Sequence, residues 1–148
     1  MPFKTLIDLY FDNKVQVVPS GTISFFNYLH ELEQLLTTPG LIDIDAADLK
    51  TVVFGAKKIT IIAISKSDKN KTKQICSKLI EFADAKITRN ASGTFFHIIG
   101  DPDVTLFDVN EIAESIYPLL NEDADIIFGA TIGDGLKDSI KILLVLAE

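Results

Sequence analysis

Three carboxylates fall within one short stretch: Asp43, Asp45 and Asp48, in the run Pro39-Gly40-Leu41-Ile42-Asp43-Ile44-Asp45-Ala46-Ala47-Asp48-Leu49-Lys50. Pro-Gly breaks the chain, and an apolar-periodic segment starts just after Asp45, so the carboxylates sit where a loop enters a helix. A short helix uses acids there without any chemistry. Asp45 at the N-cap would accept bonds from free amides and Asp48 at N3 would complement the dipole, each contributing roughly 0.5–1 kcal/mol. Any chemistry would need partners, and the chain supplies few. There is no nucleophile–base set and no metal signature. The eight glycines are scattered, so no cluster of backbone amides could wrap a phosphate.

The remaining chemically capable residues read as structural. His97 lies mid-strand between Phe96 and Ile98 and reads as a half-buried sheet residue. His30 lies on a helix beside Glu31 with no partners for a metal site. Asp101, Asp103 and Asp108 flank a turn and a helix start without the regular ligand series and closing glutamate of a calcium loop, so turn and cap roles account for them. Cys76 is the single cysteine, which excludes an intramolecular disulfide, and reads as a small core residue. Phe95, Phe96, Phe107 and Phe128 read as core.

The elements that position these residues follow from periodicity. Thr5–Phe11 and Lys14–Val18 are strand-like and separated by Asp12-Asn13, which suits a two-residue hairpin turn. Phe25, Tyr28, Leu29, Leu32, Leu35 and Leu36 recur at helical spacing over about 24–36. A short helix from Ala46 to about Val53 is closed by Gly55. Lys58–Ile64 reads as a buried strand and 65–70 as a polar turn. Residues 69–83 form an amphipathic helix with Ile75, Cys76, Leu79, Ile80 and Ala83 on one face. Thr94–Ile99 is a strand. Thr105 and Asp108 make a capping-box variant before a helix whose Val109, Ile112, Ala113, Ile116 and Leu120 face inward. Asp125–Ile132 and Ser139–Ala147 are the last strands.

Composition bounds the rest. The chain has 148 residues, 47% apolar and 24% charged, enough for one domain with a real core. The formal charge of −7 argues against a nucleic-acid partner. The densest basic stretch, Lys66–Lys78, reads as the solvated end of a helix. No apolar run approaches a membrane span and no signal peptide is evident, so the expectation is a cytoplasmic protein without a membrane partner.

Three blocks, in order, resemble the C-terminal domain of FtsZ, the bacterial tubulin homologue. Residues 40–53, GLIDIDAADLKTVV, are similar to the family's loop Gly-Leu-Ile-Asn-x-Asp-Phe-Ala-Asp-Val-Lys-Thr-Val. Ser92–Gly100, followed by Pro102–Glu111, resembles a strand, turn and helix in which Pro-Asp-Leu-Thr-Leu precedes Glu-Val-Asn-Glu. Ala124–Ala130 resembles a further strand, with Ser139–Ala147 as its hairpin partner. The resemblance covers roughly residues 24–148. It implies an α/β domain of two layers, a mixed sheet of four main strands with helices on it; the N-terminal β-hairpin over 1–23, read from the Asp12-Asn13 turn, is an addition, and the whole is expected to be one domain spanning 1–148.

In that family the loop reaches into the next subunit's GTP, where its polar residues orient the water that attacks the γ-phosphate. Positioning of this kind suits phosphoryl transfer. Carried over, Asp45 and Asp48 match the two loop aspartates, while Asp43 stands where the family has asparagine and Ala46 where it has phenylalanine. A second carboxylate beside phosphates is awkward: like charges ~4 Å apart repel by about 4 kcal/mol at an effective dielectric near 20. The family's Gly-Gly-Gly-Thr-Gly-Thr-Gly phosphate loop has no counterpart in the chain.

The resemblance therefore implies a module without its own cofactor or GTP hydrolysis. It would dock through Leu41, Ile42 and Lys50, with Asp43, Asp45 and Asp48 as candidates acting in trans, on a GTP-bearing FtsZ/tubulin-like subunit in cell division. Such a module would be a filament cap, a regulator or a remnant. Other readings stay open. One is a small ligand-binding protein or enzyme on the same scaffold. Others are a protein that self-associates through the hairpin, or a fragment of a longer FtsZ-like protein.

Overall fold

The computed structural model describes residues 14–18, 26–27, 29–30, 33, 46–53, 55–67, 69–82, 89–132 and 139–148. Strand β1 is Val15–Val18, helix α1 Ala46–Val53, β2 Ile59–Ser67, α2 Lys71–Phe82, β3 Gly93–Gly100, α3 Leu106–Ile116, β4 Asp125–Ile132 and β5 Ser139–Ala147. A 3₁₀ turn, Tyr117–Leu119, follows α3. Phe26, Asn27, Leu29, His30 and Glu33 are helical, within the expected helix over 24–36.

The strands form one mixed sheet in the order β1-β2-β5-β3-β4. Strand β5 runs antiparallel to both neighbours, with Val145 opposite Ile61 of β2 and Phe95 of β3. Strands β3 and β4 are parallel, Phe96 opposite Phe128, and α3 is the crossover between them. The central position of β5 follows from its composition. Ile142–Ala147 is an uninterrupted apolar run, and only a strand covered on both faces buries such a run completely.

Alternation along the strands divides the interior in two. On one face Ile62, Ile64, Phe96, Ile98, Ile142 and Leu144 pack with Ile75 and Leu79 of α2 and Ile112 and Ile116 of α3. On the other, Ile59, Ile61, Phe95, Leu143 and Val145 pack with Leu29 and with Leu49, Val52 and Val53 of α1. The expected mixed sheet carrying helices is what forms.

Four details differ from the sequence reading. Strand β1 is a fifth strand of the main sheet, parallel to β2 with Val15 opposite Ile59; the other arm of the expected hairpin, Thr5–Phe11, lies outside the described residues. Helices cover both faces of the sheet, because α1 returns beneath it. Strands β4 and β5 are not hairpin partners: β3 lies between them, since α3 delivers β4 parallel to β3 at the edge and β5 takes the centre. Strand β2 continues through Ser65–Ser67, where a turn was expected, because those residues pair with Lys141–Ser139 of β5.

Two phenylalanine and isoleucine assignments are also corrected. Phe107 is 88% exposed and Ile80 61% exposed. Phe107 lies off the stripe Val109–Ile112–Ala113–Ile116 that α3 buries, and Ile80 lies one position past the Leu79 edge of α2.

Candidate functional site

Helix α1 is the element that carries the candidate carboxylate face. Its core side is Leu49, Val52 and Val53, all buried. Three side chains at this spacing make one stripe, so the opposite side must face out. Lys50 and Thr51 are exposed and Asp48 is half-buried. Thr51 Oγ1 donates to the Ala47 carbonyl at 2.9 Å, within the helix. Asp48 lies in the first turn and Lys50 in the last, the placement that suits the helix dipole at both ends.

The seat of α1 is tight. A Cβ on Gly93, the first residue of β3, would stand 2.7 Å from the Val52 carbonyl oxygen. Only glycine lets the helix backbone come that close to the sheet. The helix exits through Gly55, whose φ of 73° is the left-handed conformation that ends helices, and Ala56 N–H bonds back to the Val53 carbonyl at 3.1 Å.

Of the predicted site residues, the structure thus places Asp48 and Lys50 on one short, rigidly seated helix. Leu41, Ile42, Asp43 and Asp45 lie outside the described residues.

The second cluster is built around Asp101, directly after β3. Its carboxylate is 1% exposed. It accepts from Lys71 Nζ at 3.1 Å, from Asp103 N–H at 2.8 Å and from Ser139 N–H at 2.8 Å. Burial pushes its pKa up, but the Lys71 ammonium and the two amides outweigh that and hold it below the ordinary value. Three elements, α2, β3 and β5, are fastened at this one side chain. Asp108 completes the cap of α3: its Oδ2 accepts from Thr105 N–H at 2.9 Å while its own N–H donates to Thr105 Oγ1 at 3.3 Å. Turn and cap roles are what these acids perform. The sequence reading recognised the turn but not that Asp101 is buried and paired with Lys71. The signal was the lysine at the first position of a helix whose neighbour in the fold was not known.

His97 is more buried than its strand position suggested, at 1% exposure. Nε2 lies 2.7 Å from Thr131 Oγ1 across the β3–β4 pair, and Nδ1 has no hydrogen-bond partner among the described residues. Desolvation lowers its pKa to about 4, so the ring is neutral near pH 7. No solvent reaches it, which removes it as a surface acid or base. Burial likewise pushes the Cys76 thiol up, against a lesser opposing bond from Ser115, so the thiolate is scarce. His30 is exposed on its helix.

Among the described residues no three His, Cys, Asp or Glu side chains gather as a metal site, and no helix is long and apolar enough to cross a membrane. An open cavity of about 520 Å³ lies between Arg89, Tyr117, Pro118, Leu120, Asn121 and Glu122. Its charged members are exposed, so it lacks the convergent buried polar groups of an enclosed ligand site.

Comparison with known proteins agrees with this architecture. Residues 60–148 match the model of the FtsZ family, C-terminal domain. The chain is 33% identical over 123 residues to cell division protein FtsZ 1 of Methanocaldococcus jannaschii, covering 81% of the chain and 33% of that protein. It is 30% identical over 116 residues to cell division protein FtsZ 2 of Haloferax volcanii, covering 78% of the chain and 29% of that protein. The chain thus spans about a third of the length of these relatives. Among solved structures, an empty FtsZ dimer from M. jannaschii superposes with a TM-score of 0.70 at 26% identity, over 91% of this chain and 45% of that one. GDP-form protofilaments of TubZ from Bacillus thuringiensis serovar israelensis share the fold, with a TM-score of 0.63 at 13% identity over 84% of this chain and 36% of that one.

Proposed function

The chain belongs to the FtsZ family, as a match to its C-terminal domain, and from that premise we propose that it works as an interaction module docking on a GTP-bearing FtsZ-like subunit. The docking surface is the loop 41–45 together with the exposed side of α1. Leu41, Ile42 and Lys50 make contact, and Asp45 and Asp48 stand toward the partner's nucleotide. The module neither binds nor hydrolyses GTP by itself, because the sequence holds no glycine cluster to wrap a triphosphate.

One observation carries this reading: α1 is fixed to the sheet by Leu49, Val52, Val53 and the Gly93 contact, while Lys50 is turned outward and Asp48 is half-exposed. A helix seated so firmly can hold side chains in place for a partner, as phosphoryl transfer requires of groups that only position and polarise.

Co-sedimentation with a GTP-loaded FtsZ from the same cells tests the proposal. Added protein is expected to change polymer mass or GTP turnover, and no change in either refutes docking. The variants Asp45→Asn and Asp48→Asn separate the two roles of the carboxylates. Asparagine caps a helix about as well as aspartate at position 45, and removing the Asp48 charge from the helix start costs only about 0.3–1 kcal/mol of stability, so a purely structural role leaves turnover unaltered in these variants. A role at the partner's nucleotide requires the charge, and both variants then lose any stimulation of turnover while still binding.

A further inference from the structure

The helix layer over α2 and α3 is electrically divided. Residues 66–82 hold five lysines, Lys66, Lys69, Lys71, Lys73 and Lys78, against Asp68 and Glu81, a sequence charge of +3. Residues 101–132 hold eight acids and no lysine, arginine or histidine, a sequence charge of −8. The two segments are neighbours in space: Thr72 Oγ1 donates to Asp108 Oδ1 at 3.3 Å, and Cys76 Sγ lies 3.9 Å from the Glu111 carbonyl. Lys71 is spent internally on Asp101, and Lys78 meets Glu81 at 3.0 Å.

The divided charges also point in different directions. Thr72 and Cys76 mark the side of α2 that faces α3. At 100° per residue, Gln74 and Lys78 lie on the far side, with Lys73 and Ser77 on the flank leading to it. There, with Lys66 of β2, they line an open groove of about 240 Å³. On the opposite flank, Glu111, Glu114, Glu122, Asp123 and Asp125 are exposed along α3 and the turn into β4. Among the described residues Arg89 adjoins this flank, its carbonyl accepting from Asn121 Nδ2 at 3.0 Å.

We infer that this division is an interaction device: the lysine groove beside α2 receives the acidic α3–β4 flank of a second copy of this chain. Charge complementarity selects the occupant, since residues 101–132 of the chain itself hold eight acids and no lysine, arginine or histidine, the sign the groove attracts. The two surfaces are different patches of one molecule, so the contact is head-to-tail and propagates sideways. It does not involve the loop 41–45 or α1, and it stands whether or not those residues dock on a GTP-bearing subunit.

Sedimentation velocity on the full chain, at about 0.01 M and about 0.5 M salt, tests the proposal, because the screening length falls from about 30 Å to a few Å over that range. Oligomers are expected to grow with protein concentration at low salt and to vanish at high salt. The variants K66E/K73E and E122K/D123K, each alone, are expected to need on the order of tenfold higher concentration to associate. Mixed in equal amounts they regain association, because each reversed patch then meets its complement. A wild type that stays monomeric at low salt up to about 1 mM overturns the proposal. So does association indifferent to salt, a reversed variant that associates like the wild type, or a mixture that stays monomeric. Circular dichroism confirms that the variants fold; if a reversal prevents folding, the neutral pair K73Q and D123N replaces it, each expected to weaken association several-fold.

Discussion

Replacing Asp101 by asparagine removes one negative charge and almost no volume, so it isolates what that charge does for the fold. The wild-type carboxylate is 1% exposed and accepts from Lys71 Nζ, Asp103 N–H and Ser139 N–H. Asparagine offers a single acceptor oxygen, and its amide group would meet at least one of these donors with another donor. It also strands the Lys71 ammonium, whose side chain is 12% exposed. Removing one partner of a buried ion pair costs about 3–5 kcal/mol. Because Lys71 keeps some contact with water, a loss of about 3 kcal/mol is expected. For a chain of this size, ~2–4 °C per kcal/mol turns that into a fall in Tm of roughly 6–12 °C.

The pH dependence gives a second signature. Asp101 in the folded chain lies below its ordinary value of 3.8. Its contribution is therefore complete above the unfolded value and is lost as pH falls through the lower folded one. The gap between wild type and D101N should hold from neutral pH down to about pH 4 and shrink only below it. The charge-neutral partner variant K71M should cost less than D101N, since two backbone donors still serve the carboxylate. Urea unfolding of both single variants and the double variant at pH 7 should give a coupling above about 1 kcal/mol. A Tm for D101N within about 2 °C of the wild type, or a coupling near zero, refutes the idea that this side chain fastens α2, β3 and β5 together.

Three other outcomes follow from the same geometry. His97 titrates at about 4 in the fold against about 6.5 unfolded. Its stabilising contribution is full above the unfolded value and is lost between about pH 6.5 and 4, by at most about 3 kcal/mol, and H97Q should flatten that part of the stability–pH curve measured by urea titration. Gly93→Ala would drive a methyl against the Val52 carbonyl and force α1 off the sheet; it should cost about 1–3 kcal/mol and, by hydrogen exchange, loosen amides 46–53 before those of α3. Thr105→Ala removes one half of the α3 capping box and should cost about 1 kcal/mol by thermal melting, whereas Thr105→Ser should cost only a few tenths.

Much of the scaffold was legible because its periodicities are strong. The limits of β5 and α1 follow directly from a continuous apolar run and from an acid-started segment stopped by a glycine. The pairing was less legible. Nothing local in Ser139–Ala147 distinguishes a hairpin with β4 from insertion between β2 and β3, because both bury the same side chains; the difference lies in which neighbours the crossovers leave free. Phe107 was misread on residue type alone, although the helical phase set by Val109, Ile112 and Ile116 already pointed it outward. The Asp101–Lys71 pair joins residues distant in sequence, and no local pattern announces such a contact. Asp48 and Lys50 could be placed on the outer side of a helix from the spacing of Leu49, Val52 and Val53. The significance of Gly93 beneath that helix required the fold.

The seat of α1 also depends on the central strand β5. Lys57 N–H donates to the Glu148 carbonyl at 2.7 Å, Glu148 N–H to the Lys58 carbonyl at 2.8 Å, and Ser92 N–H to the Ala147 carbonyl at 2.8 Å. These bonds join the residues just after α1, the residues just before β3, and the end of β5 at one corner of the sheet. Gly93 supports Val52 at that same corner. Helix α1 therefore rests on a junction that exists only once β5 has inserted between β2 and β3. Central strands closed by such distant pairings form late and open last. Amides 46–53 of the wild type are therefore expected to exchange with the global unfolding of the domain rather than through a separate local opening, which native-state hydrogen exchange reads directly.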